Sequence, residues 1–218
     1  SISAVYWRSC SRIGAMVNED NPGQAGFVDA RDVTPPFTPG ALRGGTHAHQ
    51  WSGDGGWIGF TYKDAIMADI EQRTGQHVDL RTVGVSTRLR QVEVDKDPYG
   101  ENNDGLWYSV LVARVTPEPA AGSDEISRAF ENAWVGAHGY RRDDGALQRA
   151  QAFLGKLRTR DNRELVEVFI ADIPERIDIP GPTGPLEGTD QAMPQPPQGC
   201  SQRRLTFTEH SRHPGVVT

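Results

Sequence analysis

Long apolar runs, dense runs of lysine and arginine, and closely spaced cysteines are all missing from this sequence. Because a membrane helix needs about 18 consecutive apolar residues, no segment is predicted to insert into a membrane. The formal net charge of −6 argues against nucleic acid as a partner. The two cysteines, Cys10 and Cys200, are too far apart in the sequence to indicate a metal site.

The common motifs of covalent catalysis and phosphate binding are missing as well. The sequence has no Gly-x-Ser-x-Gly nucleophile motif and no Gly-x-x-x-x-Gly-Lys phosphate loop. Neither cysteine has a nearby residue that could act as its base. The sequence therefore favours a non-catalytic protein, and we predict no catalytic residue and no cofactor.

The composition favours a fold built of many short strands. Hydrophobic residues make up only 36% of the chain, whereas its 24 glycines and 15 prolines suit long turns. The sequence starts directly in a strand-like segment at residues 2–7 and stops at residues 216–218, just after a strand signal, which indicates a central piece of a longer protein. No targeting segment is visible, so we expect a cytoplasmic protein, with the periplasm as the alternative.

Residues 46–63 carry the clearest structural pattern, which is that of a β-hairpin. His47, His49 and Trp51 alternate with smaller or polar residues, as the two-residue period of a strand requires. The glycines and aspartate of residues 52–56 fit a tight turn, and aromatic and β-branched residues follow it. We therefore predict that residues 46–52 pair with residues 57–63.

A second hairpin and a helix are predicted further along the chain. Residues 150–157 and 164–171 are apolar segments on either side of a polar turn. Over residues 123–135, Ser123 can cap a helix, and Ile126, Phe130 and Trp134 share a helical spacing. Further strands are predicted at residues 1–17, 26–30, 78–86, 106–115 and 203–208. Residues 64–73 are predicted as a strand, with one short amphipathic turn as the alternative.

The hairpin at residues 46–63 resembles the "W-S-P-D-G-x-W-I-A-F-T" hairpin of TolB-like β-propellers, with Gly53 in place of the usual proline. Further segments resemble one family of uncharacterised bacterial TolB-like (WD-repeat-like) propeller proteins, which is a domain of unknown function. These segments are residues 40–49, 122–126 with 134–136, 185–189 and 203–208.

This resemblance implies an all-β fold, with residues 1–218 forming part of a single propeller domain. About two four-stranded blades are expected, the first at residues 46–86 and the second at residues 107–208. The helix at residues 123–135 would be an insertion in the second blade. The remaining blades of the longer protein are then expected to pack against this fragment as partners.

The sharpest chemical feature is the pair His47 and His49. Two residues apart on one strand, their imidazoles would point to the same side about 7 Å apart, which suits a bridging metal ion. Arg43 lies in the loop that enters the strand, so Arg43, His47 and His49 form a candidate site for an anionic ligand. A divalent metal bound by His47 and His49 is the alternative cofactor, and hydrogen bonds between neighbouring blades are the alternative role of the two imidazoles.

Two acidic features favour turns over catalysis or calcium binding. Asp54 lies in the turn of the hairpin, and its spacing lacks the alternating oxygen ligands of a calcium loop. Residues 95–104 are rich in side-chain oxygens and could hold calcium, although such loops are more often solvated turns.

Taken together, these features predict a binding or scaffold module. It would engage a protein, a peptide or a small anionic ligand at the channel face of the propeller. The alternative is a metal- or anion-dependent enzyme, a hydrolase or lyase, that uses Arg43, His47 and His49 at the mouth of the channel. Metal analysis of the protein would separate these hypotheses.

Overall fold

The computed structural model describes residues 12–208. This range is predominantly β, with one short helix. Its elements, in chain order, are β1 Ala15–Asn18, β2 Asn21–Phe27, β3 Ala30–Arg31, β4 Ala41–Leu42, β5 Gly44–Trp51, β6 Trp57–Asp64, α1 Ala65–Thr74, β7 Thr82–Thr87, β8 Tyr108–Leu111, β9 Ile126–Trp134, β10 Tyr140–Arg141, β11 Leu147–Gln148, β12 Ala150–Arg158, β13 Glu164–Asp172 and β14 Ser201–Arg204.

The first sheet is a four-stranded antiparallel meander in the order β5-β6-β7-β8. The predicted pairing of residues 46–52 with 57–63 is confirmed by the register of β5 against β6. The turn between them also forms as predicted, because the Asp54 carboxylate accepts hydrogen bonds from Ser52 Oγ at 2.6 Å and from Gly56 N at 3.1 Å. The predicted strands at 78–86 and 106–115 are present as the shorter β7 and β8.

The second sheet has the order β14-β13-β12-β9 and is also antiparallel. The predicted hairpin of residues 150–157 and 164–171 is confirmed, with the register running from Ala150 opposite Asp172 to Arg158 opposite Glu164. A small β10–β11 hairpin lies between β9 and β12 in the chain. The strand predicted at 203–208 begins earlier and is shorter, as β14.

The helix predicted at residues 123–135 was wrong, because Ile126–Trp134 forms strand β9 and pairs with β12. Residues spaced four apart lie on one side of a strand as well as of a helix, so the spacing did not separate the two structures. Ser123 donates to the Ala120 carbonyl at 2.7 Å, which makes it part of a turn and not a helix cap. Ile126 is buried, and Trp134 packs against the core while partly exposed.

The strand predicted at residues 64–73 was also wrong, because helix α1 forms there. The Asp64 carboxylate caps it by accepting the backbone N–H groups of Ile66 at 2.9 Å and Met67 at 3.1 Å. Gly75 ends the helix with a φ of 73°, a conformation that favours glycine. Both capping residues are visible in the sequence and would have identified the helix.

The two sheets share one hydrophobic core. Strand β9 of the second sheet lies against β6 and β7 of the first. Val83, Val85 and Val110 from the first sheet join Phe153 and Phe169 from the second in a single buried cluster. Burying these side chains against each other stabilises the stack, since each contributes on the order of 2 kcal/mol.

The smaller elements pack around these sheets. β1 and β2 form an antiparallel hairpin, and β3 pairs with β4 in parallel. The segment predicted as a strand at residues 2–7 lies outside the described residues. In the part of the chain described, no helix has the length and apolar character needed to cross a membrane.

Candidate anion site between the two sheets

Arg43, a predicted ligand-binding residue, is completely buried and already has partners. Its Nε and Nη2 donate to Asp64 Oδ2 at 3.1 and 2.7 Å, and Nη2 also donates to the carbonyl of Ala192 at 3.0 Å. Nη1 donates to the carbonyl of Thr189, and the ring of Phe37 lies 4.7 Å from the guanidinium carbon. Arg43 therefore ties the start of β5 to the loop at residues 185–193.

The two predicted histidines lie on either side of a distortion in β5. The pairing with β6 shifts between His47 and Gln50, and Ala48 has a φ of 53°. The regular alternation of side chains is therefore interrupted between the two imidazoles. His49 Nε2 lies 3.1 Å from Thr46 Oγ1, and burial of this ring lowers the pKa of His49.

His47 is held in its neutral form by its surroundings. Burial lowers its pKa to about 4, and the positive charges of Arg81 and Arg12 add to this effect. The positive charge of His49, when protonated, also lowers the pKa of His47. The Nδ1 atom of His47 is buried and has no hydrogen-bond partner.

A metal site would need further ligands around these histidines. Among residues 12–208, no group of three histidine, cysteine, aspartate or glutamate side chains could hold a metal ion. Arg43 is bound to Asp64, whereas the positive charges of Arg81 and Arg12 act on His47. The structure therefore gives Arg43 partners other than the two histidines.

Basic residues that sequence reasoning did not select meet between the two sheets. Lys63 at the end of β6 and Arg81 just before β7 face Arg128 in β9 and Lys156 and Arg158 in β12 across a cleft of about 340 Å³. We call this feature the basic cleft and define it by these five residues. It draws basic side chains from both sheets.

The lysines of the basic cleft are neutralised, but its arginines are not. Lys63 pairs with Asp79 at 2.5 Å, and Lys156 pairs with Glu164 at 2.6 Å. In the described part of the chain, no acidic side chain forms an ion pair with the other three members, Arg81, Arg128 and Arg158. The cleft therefore holds a local excess of positive charge.

Arg81 and Arg128 are fixed close to each other by backbone pairing. The carbonyl of Arg81 accepts a hydrogen bond from Ala129 N at 3.0 Å. Burial lowers the pKa of Arg81, the charges of Arg128 and Arg12 lower it further, and the carboxylate of Asp79, which pairs with Lys63, opposes this effect only in part. The Nε atoms of Arg81 and Arg128 are buried without a hydrogen-bond partner, although Arg128 also lies 4.8 Å from the ring of Phe130. Such donors favour an anion that would satisfy them.

Sequence reasoning missed the basic cleft because its residues are scattered. Arg81 and Arg128 are close only because β9 packs against the first sheet. The position of Arg128 directly opposite Lys156 also follows from the pairing of β9 with β12. The one available signal was the clustering of basic residues in β12, where Lys156 and Arg158 alternate on a strand that was predicted correctly.

The oxygen-rich loop at residues 95–104 is held by its own hydrogen bonds. The Asp97 carboxylate accepts from Tyr99 N at 2.8 Å and from Asn102 N at 2.5 Å. Asn102 reaches back to accept from Val33 N at 2.8 Å. These oxygens stabilise a turn, which agrees with the interpretation of the loop as a structural feature.

The comparisons with known proteins connect the chain to others of unknown function. Residues 4–101 match a family model described as "Protein of unknown function (DUF3748)". The chain is 40% identical over 199 residues to "Uncharacterized protein YidR" of Escherichia coli (strain K12). This match covers 89% of the chain but only 44% of YidR. No solved structure matches the chain at a significant level.

Proposed function

We propose that the chain is part of a TolB-like β-propeller that works as a non-catalytic binding module and takes a small anionic ligand in the basic cleft. Two features support the propeller. The hairpin at residues 46–63 carries the family's motif, and each four-stranded sheet follows the chain order that a propeller blade has. The remaining blades of a longer protein would then pack against these two.

The observation that carries the binding proposal is the unpaired charge of the basic cleft. The whole chain has a formal net charge of −6, yet Arg81, Arg128 and Arg158 line one cleft and form no ion pair with an acidic side chain of the described residues. Grouped like charges repel one another and so destabilise a fold. Guanidinium groups bind carboxylates and phosphates through paired hydrogen bonds, so an anionic ligand accounts for this arrangement.

Thermal unfolding with and without pyrophosphate, at constant ionic strength, tests this proposal. We expect pyrophosphate to raise the melting temperature of the unaltered protein, because a ligand that binds the folded state stabilises it. Arg81→Gln and Arg128→Gln should each raise the melting temperature without ligand, because they relieve repulsion, and should reduce the shift that pyrophosphate causes.

Arg176→Gln is the matched control, because Arg176 is an exposed arginine that pairs with Asp178 outside the basic cleft. It should leave the pyrophosphate shift unchanged. A pyrophosphate shift that is equal in the unaltered protein and in the two cleft variants would overturn the assignment of the ligand to this cleft.

A further inference from the structure

We infer that the ligand of the basic cleft is a small multivalent oxyanion, a molecule with phosphoryl or carboxylate groups that together carry more than one negative charge. This inference rests on the proposed function and adds the class of ligand. It predicts that the number of charges on the ligand, and not merely their sign, decides its affinity.

The balance of charge in the cleft leads to this class. Asp79 and Glu164 already compensate Lys63 and Lys156. A monovalent anion would compensate one of the three remaining guanidinium groups and leave the others repelling each other. A ligand with several negative charges compensates more of these guanidinium groups at once, so the binding free energy is more favourable at the same site.

The positions of the three arginines in the fold also favour a ligand with several anionic groups. Arg81 precedes β7, Arg128 lies in β9 and Arg158 ends β12, so the guanidinium groups come from three different elements. The buried Nε atoms of Arg81 and Arg128 each lack an acceptor. A guanidinium that uses Nε together with a terminal nitrogen presents two parallel donors, which match the two oxygens of one carboxylate or phosphoryl group. Separate arginines can thus bind separate oxyanion groups.

The size and walls of the cleft indicate a small molecule. Its volume of about 340 Å³ is near the lower end of the range for small-molecule sites, which is roughly 300–1,000 Å³. Leu80, Leu157, Pro117 and Pro119 add apolar surface to its lining. The net negative charge of the rest of the chain disfavours a long polyanion such as nucleic acid, which would extend beyond the cleft.

Isothermal titration calorimetry at one pH and one ionic strength tests the inference directly. The probes are acetate, inorganic phosphate, pyrophosphate and citrate, and they are titrated into the 218-residue protein and into Arg158→Gln. We expect affinity to rise at least about tenfold from acetate to phosphate and again to the more highly charged probes, which is about 1.4 kcal/mol for each step. Arg158→Gln should weaken pyrophosphate or citrate more than acetate.

The outcomes separate this inference from the proposed function. If only pyrophosphate binds more strongly than acetate, the ligand's anionic groups are phosphoryl groups. If only citrate does, they are carboxylates. Both results support a multivalent ligand. Equal affinity for acetate and the multivalent probes would overturn the inference while leaving an anion site in place. If no probe binds, both the inference and the proposed function fail. Arg176→Gln again serves as the control and should bind each probe like the unaltered protein.

Discussion

Asp29 is a buried carboxyl group whose ionisation is linked to the stability of the fold. It is completely buried, accepts a hydrogen bond from Gly14 N at 3.2 Å and lies 3.2 Å from Thr46 Oγ1. Burial raises its pKa to about 7, and its hydrogen bonds oppose that rise only in part. The folded protein therefore binds a proton at this group more tightly than the unfolded chain does.

The raised pKa of Asp29 predicts how the stability of the protein depends on pH. Because the folded-state pKa lies above the unfolded value of 3.8, the contribution of this group is full below about pH 4 and is lost as the pH rises through 7. Asp29→Asn removes the ionisation. We expect this variant to gain stability relative to the unaltered protein as the pH rises, by up to about 4 kcal/mol at pH 8.

Urea unfolding of both proteins between pH 4 and pH 8 measures this difference. Thr46→Val is a useful comparison, since it removes the hydroxyl that contacts Asp29 but keeps the carboxyl group. It should retain the dependence on pH that Asp29→Asn loses. A difference between Asp29→Asn and the unaltered protein that stays constant across this range would contradict the assigned pKa.

Individual residue roles were predictable only where they depend on close neighbours in sequence. The role of Asp54 in a turn was predicted, because its partners Ser52 and Gly56 are two residues away. The partner of Arg43 was not, because Asp64 is 21 residues distant and meets it only after β5 and β6 have paired. The basic character of Arg43 was visible in the sequence, but the fact that its charge is already neutralised was not.

At the scale of single elements, the local hairpins were predicted and the long-range pairing was not. β5 with β6 and β12 with β13 are each joined by a short turn, so the alternating pattern and the turn residues identify them. β9 pairs with β12 across the intervening β10–β11 hairpin, and the sequence of β9 alone fits a helix equally well. Its structure is decided by the availability of a partner strand, which a local pattern does not contain.

Gly59 in β6 marks a close approach between the two sheets. A Cβ atom at this position would lie 1.8 Å from Gln151 Nε2 and 3.0 Å from Asn132 Nδ2. Both side chains are buried and belong to the second sheet. A side chain fits here only if the terminal amides of Gln151 and Asn132 are displaced from their buried positions.

We therefore predict that Gly59→Ala destabilises the protein by about 1–3 kcal/mol, the usual cost of overpacking a well-packed interior. The free energy of unfolding in urea measures this effect. Gly23→Ala is the control, since a Cβ atom at Gly23 would meet no atom within 4 Å. Equal stabilities for the two variants would show that the amides of Gln151 and Asn132 make room for the added Cβ atom at no cost to stability.

At the scale of the whole molecule, the segments that suggested a family have identifiable structural roles. In the segment at residues 203–208, Arg203 donates to Asp172 at 2.6 Å. The hydroxyl of Thr208 donates to the buried Glu167 at 2.6 Å, and Arg204 lies 3.4 Å from the same carboxylate. These bonds fasten the last strand, β14, and the residues after it to β13 of the second sheet. A predominantly β architecture could thus be predicted from sequence, whereas the basic cleft arises only from the stacking of the sheets.

Outside the core, an ion pair joins the hairpin turn of the first sheet to the second sheet. Arg149 Nη2 donates to Asp54 Oδ2 at 2.6 Å, and its guanidinium carbon lies 5.1 Å from the ring of Trp57 and 6.0 Å from that of Trp134. Hydrogen bonds from Ser52 and Arg149 hold the pKa of Asp54 well below its usual range, so the carboxylate remains charged under ordinary conditions. The pair therefore connects the two sheets at neutral pH.

A double-mutant cycle on Asp54→Asn and Arg149→Leu measures how strongly this pair holds the sheets together. We expect each single variant to lower the free energy of unfolding and the pair to show a coupling of about 1 kcal/mol, since both side chains are partly exposed and solvent screens their attraction. The pair Asp161 and Arg163 is a suitable control, because it lies within one turn of the second sheet and is more exposed. Its coupling should be smaller. Effects of Asp54→Asn and Arg149→Leu that simply add would mean that the ion pair contributes nothing to holding the sheets together beyond the separate effects of its two members.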